Sequence, residues 1–431
     1  MTAAGIPAVP PSRHRYYVLF VLTLVYMVSS IDRMLISTVA EPIKLEFHLS
    51  DSALGILVGL VFSVSYTLFG IPLGILIDRV NRTRLLAALV GIWSGLTFVG
   101  GFAQSWLMLA LARVGVGASE AGASPAAMSI VTDYFPRQQR GRALSLFYVS
   151  TPVGVSIGLA MGTYMAGHFG WRTAFFIAGI PGFLLALLLL FTVREPVRGA
   201  AEPELAAPPP ERPGFLATLG TIWRIRPLAL LILAGMSVVV AQAGLNAFAT
   251  AFLMRIHGVP IQQAGYALGM ASFLPGIAGV LIGGWVADRM ARRSAAAGPR
   301  TVGVLMILAA PAAIVALLLP DWRFAVGLLG LNFFLNATYY GTHFSTFMSL
   351  APVAMRGRLA AVMAVLMTLM GYGMGPVLSG GASDLYAALG VAEPLRWALV
   401  TVSAIFVLAG LFFLATARAI ARMNPENGVA G

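Results

Sequence analysis

The chain has 431 residues, of which 59% are hydrophobic and only 10% are charged, and its mean hydropathy is +0.87. Soluble domains carry roughly 25% charged residues, so this composition excludes a soluble protein and indicates an integral membrane protein. The net charge of +12 does not indicate nucleic-acid binding, because the arginines fall in short loops between apolar runs, where they orient the protein and meet anionic lipid headgroups; the absence of cysteine excludes disulfides and thiol chemistry.

Twelve apolar runs are each long enough to cross a bilayer as a helix, which needs about 20 residues. Runs of this length are not barrel strands, and a helix satisfies its own backbone in lipid. We therefore predict an all-α membrane protein with twelve transmembrane helices. The predicted spans, numbered 1 to 12, are 16–40, 53–77, 85–104, 106–131, 143–166, 171–193, 227–253, 262–287, 301–320, 323–350, 358–382 and 394–418.

The basic residues predict how these spans are oriented. Of the 28 Lys and Arg residues, 21 lie in segments on the inner side if the N-terminus is cytoplasmic, and five lie in the outer segments. An excess of this size on one side places both termini in the cytoplasm. Short loops and a bias toward Arg and Ala favour a bacterial inner membrane.

The longest inner segment, 194–226, contains EPVRGAAEPELAAPPPERP and is typical of a flexible cytoplasmic linker. It separates an N-terminal six-helix bundle, 1–193, from a C-terminal one, 227–431. Two loops recur in both halves: GILIDRVNRTR after span 2 with GGWVADRMARR after span 8, and PRQQRGRA after span 4 with PVAMRGRL after span 10. Duplicated halves of this kind predict a transporter with a pseudo-symmetric pathway.

The recurring loops are candidate inner gates. Gly70 and Gly74 share one helix face at a spacing that allows two helix backbones to approach closely, and Asp78 can cap a neighbouring helix or pair with an arginine. We predict charge pairs that hold the gate closed and break on opening; the alternative is that these residues only anchor the protein at the inner surface. The predicted gating residues are Gly74, Asp78, Arg79, Arg82, Arg142, Asp288, Arg289 and Arg358.

Span 5 carries a stripe of small residues within STPVGVSIGLAMG. Gly154, Gly158 and Gly162 recur at four-residue spacing, so they lie on one helix face. We predict that this face packs closely against a helix of the other half.

Four ionisable residues lie inside predicted spans: Asp32 and Arg33 in span 1, and Arg113 and Glu120 in span 4. A charge at the bilayer centre costs about 2.5–3.5 kcal/mol, so these groups must pair, meet water or take up a proton. Asp32 and Arg113 lie about 14 Å and about 10 Å below the outer surface at the helical rise per residue, close enough to meet if spans 1 and 4 are neighbours. Glu120 lies two turns deeper on the face of Arg113.

A carboxyl at that depth is balanced between apolar surroundings, which favour the neutral acid, and a nearby arginine, which favours the carboxylate. We therefore predict that Asp32 and Glu120 carry protons and that Arg33 and Arg113 compete for their negative charge. The alternative is a static ion-pair network that locks spans 1 and 4 together.

Further polar side chains inside the spans are candidates for a substrate cavity, although an interhelical hydrogen bond explains each of them as readily. His343 can titrate near neutral pH, and Arg33 or Arg113 can hold an anionic headgroup. The predicted substrate-binding residues are Arg33, Arg113, Glu120, Tyr66, Tyr148, Gln242, Asn246, Asn332, Asn336, Tyr340, His343 and Tyr372.

The loops with glycine, Asp-Arg and further basic residues resemble the signature of the major facilitator superfamily, and the resemblance covers about 15–418. SSIDRM, IDRVNRTRLL, RVGVGASEAG and LSLFYVSTPVG are similar to the spinster-like branch. Asp32, Arg33, Arg113 and Glu120 match that branch position by position, and Ser119 stands where it often has Gly. Organic-anion symporters share the Asp-Arg of span 1, whereas Glu120 and Asn81 favour the spinster-like branch.

The resemblance implies a monomer of two six-helix bundles that rock around a central cavity. It also implies proton-coupled secondary active transport of an amphipathic, lipid-like substrate of lysophospholipid or sphingosine-phosphate type. The expected partners are that substrate, protons and membrane lipids, with no nucleic acid. The alternatives are a small organic-anion symporter and a broad-specificity drug exporter.

Other classes of function lack their motifs. The sequence has no glycine-rich phosphate loop, no nucleophile–base pair at depth and no metal-ligand spacing. We therefore expect neither an ATP-driven pump nor an enzyme, with no catalytic residue, cofactor or metal.

Overall fold

The computed structural model describes residues 12–197, 215–352 and 355–423, and nearly all of them are helical. The helices of the first half are α1 Ser12–Thr38, α2 Ala40–Phe47, α3 Asp51–Gly55, α4 Val61–Arg79, α5 Arg82–Gly100, α6 Trp106–Glu120, α7 Ala123–Tyr134, α8 Arg137–Tyr148, α9 Ser150–Phe169 and α10 Trp171–Thr192. Those of the second half are α11 Phe215–Arg224, α12 Arg226–His257, α13 Ile261–Ala291, α14 Ala297–Leu318, α15 Trp322–Ala337, α16 Tyr339–Leu350, α17 Arg356–Leu366, α18 Met374–Ala388, α19 Pro394–Ser403 and α20 Ile405–Met423. The predicted all-α class is confirmed.

Within the described residues, ten helical stretches are long and apolar enough to cross a membrane, and they coincide with ten of the predicted spans. The other two, spans 4 and 10, are each divided into a pair of shorter helices, and one-residue breaks also occur at Val149 in span 5 and at Ala404 in span 12. Span 4 breaks at 121–122, between α6 and α7, and span 10 breaks at Thr338, between α15 and α16. Thr338 follows Gly122 by 216 residues (338 − 122), the offset that also separates Gly357 from Gly141 (357 − 141) in the recurring loops. The two breaks therefore fall at equivalent positions of the two halves.

Several helix starts follow from side-chain caps that are visible in the sequence. Ser50, Asn81, Ser105 and Asp321 each accept a hydrogen bond from a backbone N–H in the first turn of α3, α5, α6 and α15. Such a cap satisfies a donor that the helix itself leaves unpaired. The cap from Asn81 explains why α5 begins at Arg82, directly after the inner loop that follows span 2.

The chain divides into two compact units. Unit 1 takes in the described residues of Met1–Ile36 and Val64–Glu211, and unit 2 takes in Ser37–Ser63 together with those of Arg212–Gly431. The segment 37–63 covers α2, α3 and a π-helical turn at Ile56–Leu60, and it packs with helices of the C-terminal half in unit 2. In the sequence this segment belongs to the predicted N-terminal bundle.

The predicted linker 194–226 lies partly outside the described residues, since these leave out 198–214. Residues 215–224 form α11, which the sequence analysis does not anticipate. It packs on α12 and α17 in unit 2, and its Ile222 is buried in the core there. The described end of the linker is therefore part of unit 2.

The glycine stripe of span 5 packs against span 1 in unit 1. A Cβ added at Gly154 would lie 2.6 Å from the carbonyl oxygen of Met27, and one at Gly158 would lie 3.0 Å from Cβ of Met34. Only hydrogen fits at such distances, so the prediction of close packing is confirmed. The predicted partner is wrong for these two glycines, because span 1 belongs to the same half of the chain.

Candidate functional site

A buried ion pair joins spans 1 and 4 in unit 1. The Nε atom of Arg33 lies 2.7 Å from Oε2 of Glu120, and the Ser29 hydroxyl donates to the same oxygen at 2.9 Å. The Glu120 side chain is 0% exposed, whereas 34% of the Arg33 side chain is exposed. The carboxylate is therefore sealed inside the protein, and its partner reaches an accessible surface.

Asp32 lies beside this pair and is only 1% exposed. Neither of its carboxyl oxygens accepts a hydrogen bond of ordinary geometry from the described residues, although the Thr97 hydroxyl lies beside the carboxyl. Its charged neighbours are Glu120, Arg113 and Arg33, so the structure brings the four predicted intramembrane charges together. Two neighbouring carboxyls in a dry site repel each other when both are ionised, and a proton on either relieves the repulsion.

Glu120 stands at the break in span 4, since it is the last residue of α6. The Ser119 hydroxyl, which stands where spinster-like sequences often have Gly, donates to the carbonyl oxygens of Gly115 at 2.7 Å and Val116 at 3.1 Å. Because this hydroxyl bonds to its own helix, it is not among the donors to the Glu120 carboxylate. The departure from the family pattern therefore leaves the ion pair in place.

Aromatic side chains of unit 1 surround the accessible side of Arg33. The guanidinium carbon of Arg33 lies 5.5 Å from the centre of the Tyr66 ring. The Tyr26 ring meets Tyr148 edge-on at 5.9 Å, and Tyr148 is 42% exposed. A cation framed by partly exposed rings is suited to a molecule with an anionic group and an apolar body.

The polar residues predicted along spans 7 and 10 fall into two groups in unit 2. Asn332 and Asn336 are buried: Nδ2 of Asn332 donates to the Ala309 carbonyl at 2.9 Å, and Nδ2 of Asn336 donates to Asn332 Oδ1 at 2.9 Å. The Asn332 bond joins α15 to α14 and favours the interhelical alternative, whereas the Asn336 bond stays within α15. Gln242 and Asn246 are half-buried, and Oδ1 of Asn246 has no hydrogen-bond partner among the described residues.

A tyrosine cluster follows the break in span 10. The ring centres of Tyr339 and Tyr340 lie 4.3 Å apart, Tyr372 lies near Tyr340, and Tyr340 and Tyr372 are 43% and 50% exposed. Tyr372 lies in a second π-helical turn, Met367–Gly373, and such turns are frequent at functional sites. Buried Tyr339 was missed from the sequence, because three hydroxyls on two spans share no local motif.

His343 lies in the core of unit 2 behind these tyrosines. It is 4% exposed and packs between the rings of Tyr339, at 5.8 Å, and Phe413, at 6.1 Å. Neither ring nitrogen has a hydrogen-bond partner among the described residues. Its surroundings are those of a packed aromatic residue.

Arg82, a predicted gating residue, is buried within unit 1. It donates to Oε1 of Glu195 at 2.7 Å and to the Pro196 carbonyl at 3.0 Å, and it pairs with Asp133. These bonds tie the start of span 3 to the ends of spans 4 and 6. Burial acts to raise the pKa of Glu195, but the hydrogen bonds from Arg82 and Thr83 outweigh it and hold that pKa below the usual 4.5.

The other predicted gating residues lie near the surface of their units. Asp78, Arg79, Arg142 and Arg289 are exposed, Arg358 is half-buried, and the side chain of Asp288 lies outside the described part of the chain. A Cβ added at Gly70 or Gly74 would meet nothing within 4 Å. The close helix approach expected at these two glycines is therefore not seen among the described residues.

An ionic cluster that the sequence analysis missed lies in unit 2, at the predicted outer ends of the spans; we call it the outer cluster. Arg255 bridges Glu41 (Nε to Oε2, 2.7 Å) and Asp51 (Nη1 to Oδ2, 2.9 Å). Lys44 Nζ and the Ser383 hydroxyl each donate to Asp51 at 2.6 Å. The available signal was the concentration of four charged residues in the short segment 41–51, on the side of the protein with few basic residues.

Around the outer cluster, the segment 37–63 packs backbone to backbone on span 11 within unit 2. A Cβ added at Gly55 would lie 2.3 Å from the Pro376 carbonyl oxygen, and one at Gly380 would lie 2.1 Å from that of Asp51. The carboxylate of Asp384 accepts the backbone N–H groups of Asp51 and Ser52 at 3.0 Å and 2.8 Å. Glycine contacts and hydrogen bonds thus fix the segment to the C-terminal helices.

Comparison with known proteins identifies relatives over nearly the whole chain. The sequence model of the Major Facilitator Superfamily matches residues 22–379. An MFS-type efflux pump of Mycolicibacterium smegmatis is 33% identical over 408 residues, which cover 92% of each chain. Protein spinster homolog 1 of Xenopus tropicalis is 29% identical over 436 residues, covering 94% of this chain and 81% of that protein. A bacterial homologue of the human lysosomal transporter Spinster, solved in an inward-facing and unoccupied conformation, superimposes with a TM-score of 0.84 at 28% identity, over 96% of this chain and 98% of that one.

Proposed function

Because the chain belongs to the major facilitator superfamily, with spinster-like relatives, and is therefore a membrane transporter rather than an enzyme, we propose that it moves amphipathic, lipid-like molecules in exchange with or together with protons. The proposed substrates are of lysophospholipid or sphingosine-phosphate type. The observation that carries the proposal is the Arg33–Glu120 ion pair, with Glu120 sealed and Arg33 partly exposed.

In this proposal, protonation of Glu120 couples proton movement to substrate binding at Arg33. A proton on Glu120 removes the charge that holds Arg33, and the guanidinium is then available to an anionic headgroup. Asp32 lies beside Glu120 in the same dry site and is a second candidate carrier of the proton. Proton uptake and anion binding therefore support each other at Arg33.

The aromatic rings near the Arg33–Glu120 pair are the reason for proposing that the substrate has an apolar part. Tyr66 and Tyr148 in unit 1 offer flat apolar faces, and a fully polar dicarboxylate would leave them unused. A lipid-like cargo is also what the resemblance of the sequence motifs to the spinster-like branch implies. We further propose a bacterial inner-membrane monomer with both termini inside.

The proton assignment is tested by Glu120→Gln in proteoliposomes. The neutral amide cannot release a proton, so transport driven by a pH gradient is lost while substrate binding persists. Glu393→Gln is the matched control, because Glu393 is an exposed carboxylate paired with Arg396 three residues along. Gradient-driven flux that is unchanged in Glu120→Gln would end the assignment.

The substrate class is tested by thermal stability of the detergent-solubilised protein. Lysophospholipids should raise its melting temperature and dicarboxylates should not; the reverse pattern favours a small organic-anion symporter. Broad-specificity export is the second candidate, because the efflux pump relative covers 92% of this chain. That candidate predicts that amphipathic cationic dyes are transported as well as lysophospholipids.

A further inference from the structure

A groove of about 610 Å³ lies in unit 2 between the start of α12 and the end of α20. Four arginines line it, and the rest of its lining is apolar, including Leu230, Ala415 and Ala419. The arginines are Arg224, Arg226, Arg418 and Arg422. The groove thus has a cationic rim and an apolar floor.

The rim charges have no acidic partner among the residues that the structure describes. All four arginines are exposed, and none forms an ion pair with another residue that the structure describes. Arg82 and Arg255, by contrast, each bridge two carboxylates. Arg418 and Arg422 stand one turn apart on one face of α20, so their guanidinium groups reinforce a single positive region. Within the described part of the chain, these four cations around one cavity are not neutralised, and such a group attracts an anion.

The position of the groove indicates which class of anion binds there. The four arginines belong to the predicted inner membrane surface, and Trp223, beside Arg224, is 63% exposed, as is usual for a tryptophan at a lipid headgroup layer. A free phosphate would occupy the rim but leave the apolar floor empty. A molecule with phosphate at one end and hydrocarbon at the other matches both parts.

We propose that this groove is a binding site for an anionic phospholipid of the inner leaflet, separate from the transport pathway. The phosphate pairs with the rim arginines, and the upper part of an acyl chain lies against Leu230, Ala415 and Ala419. Four guanidinium groups can hold two phosphates, so a lipid with two phosphates, such as cardiolipin, binds more tightly than phosphatidylglycerol.

The test measures lipid binding to the purified full-length protein by native mass spectrometry, with cardiolipin, phosphatidylglycerol, phosphatidylcholine and inorganic phosphate as probes. Each basic residue near an anionic lipid contributes roughly fivefold in affinity, so Arg418→Gln with Arg422→Gln should weaken cardiolipin binding about 25-fold. Arg292→Gln with Arg293→Gln is the matched control: it removes the same charge from exposed inner arginines outside the groove. The control should keep cardiolipin binding within about twofold of the unmodified protein.

Ala419→Trp keeps every charge and fills the floor, and it should also weaken cardiolipin binding severalfold. Equal loss in the two double variants would show general surface attraction and overturn the site. Inorganic phosphate that competes as well as lipid phosphate would show a free-anion site instead. Unchanged binding in Ala419→Trp would overturn the role of the groove.

Discussion

At the scale of single residues, variants of the Arg33–Glu120 pair distinguish a static ion-pair lock from a site that carries protons. Removing one partner of a buried pair leaves the other uncompensated, which costs about 2 kcal/mol after allowance for the partial exposure of Arg33. Arg33→Gln should therefore lower the melting temperature by roughly 2 °C. Arg33→Gln with Glu120→Gln should recover most of that loss, because neither member of the pair is left charged without the other.

The double variant also separates stability from transport. A static lock predicts that the double variant, once stable, transports as before. The proton proposal predicts that it stays inactive in a pH gradient although its melting temperature has recovered. Restored gradient-driven flux in the double variant would therefore contradict proton transfer at Glu120.

Glu195 supplies a pH dependence in the loop that holds Arg82. Its pKa is held below 4.5 in the folded protein, so it stabilises unit 1 fully above that value, and the stabilisation is lost as the pH falls through the lower folded pKa. Glu195→Gln should cost about 1 kcal/mol at neutral pH. Melting temperatures of the two proteins should differ at about pH 7 and about pH 5.5 and converge only below 4.5. A difference that grows with acidity would show that the sign is wrong.

The sequence could predict how deep each charged residue lies in the membrane, but not which of these residues pair with each other. The helical rise brought Asp32 and Arg113 to similar depths, yet the direct hydrogen bond joins Arg33 to Glu120. Successive helical residues point about 100° apart, so the rotation of span 1 about its axis decides which of Asp32 and Arg33 faces Glu120. That rotation is set by tertiary packing, including the contact of Gly154 and Gly158 with span 1.

At the scale of elements, the breaks in spans 4 and 10 are the feature that apolar patterning hides. Both spans read as continuous hydrophobic runs, because a short turn inside a bundle needs no polar turn residues when neighbouring helices cover it. Glu120 ends the helix before the first break, and Tyr339 and Tyr340 begin the helix after the second. The backbone stays right-handed helical through both breaks, and spans 5 and 12 have similar one-residue breaks at Val149 and Ala404.

Span 2 offers a test of close packing, because its glycines differ in surroundings. Gly55→Val should force the segment 37–63 away from span 11, since its Cβ would lie 2.3 Å from the Pro376 carbonyl oxygen. Gly74→Val, whose Cβ meets open space, is the matched control. The natural chain has no cysteine, so Ser63→Cys, at a position that is 0% exposed, serves as a single reporter of thiol labelling. Labelling should rise in the Gly55 variant only; equal labelling in both would contradict the packing argument.

At the scale of the whole molecule, the repeated loops and the span count predicted the fold well, whereas the membership of the two compact units was beyond the sequence. Hydropathy locates segments that cross a membrane, and its symmetry shows duplication. It cannot show that 37–63, from the first half, packs with the second, because that depends on glycine contacts and on Arg255 meeting Glu41 and Asp51 across 200 residues of chain or more. These contacts are a candidate outer gate. If the two halves move apart on the outer side during transport, the contacts that hold the segment 37–63 against the C-terminal helices must break.

A reversible crosslink tests that release. A Cβ at Gly381 would lie 4.0 Å from the Ser52 hydroxyl, so Ser52→Cys with Gly381→Cys is within reach of a disulfide. Oxidation should trap the segment on span 11 and abolish transport in proteoliposomes, and a reductant should restore it, because no other cysteine exists in the chain. Each single-cysteine variant, oxidised in the same way, is the matched control and should transport normally. If the crosslinked protein still transports at the reduced protein's rate, the segment does not leave span 11 during the cycle, and the outer cluster is a permanent structural tie.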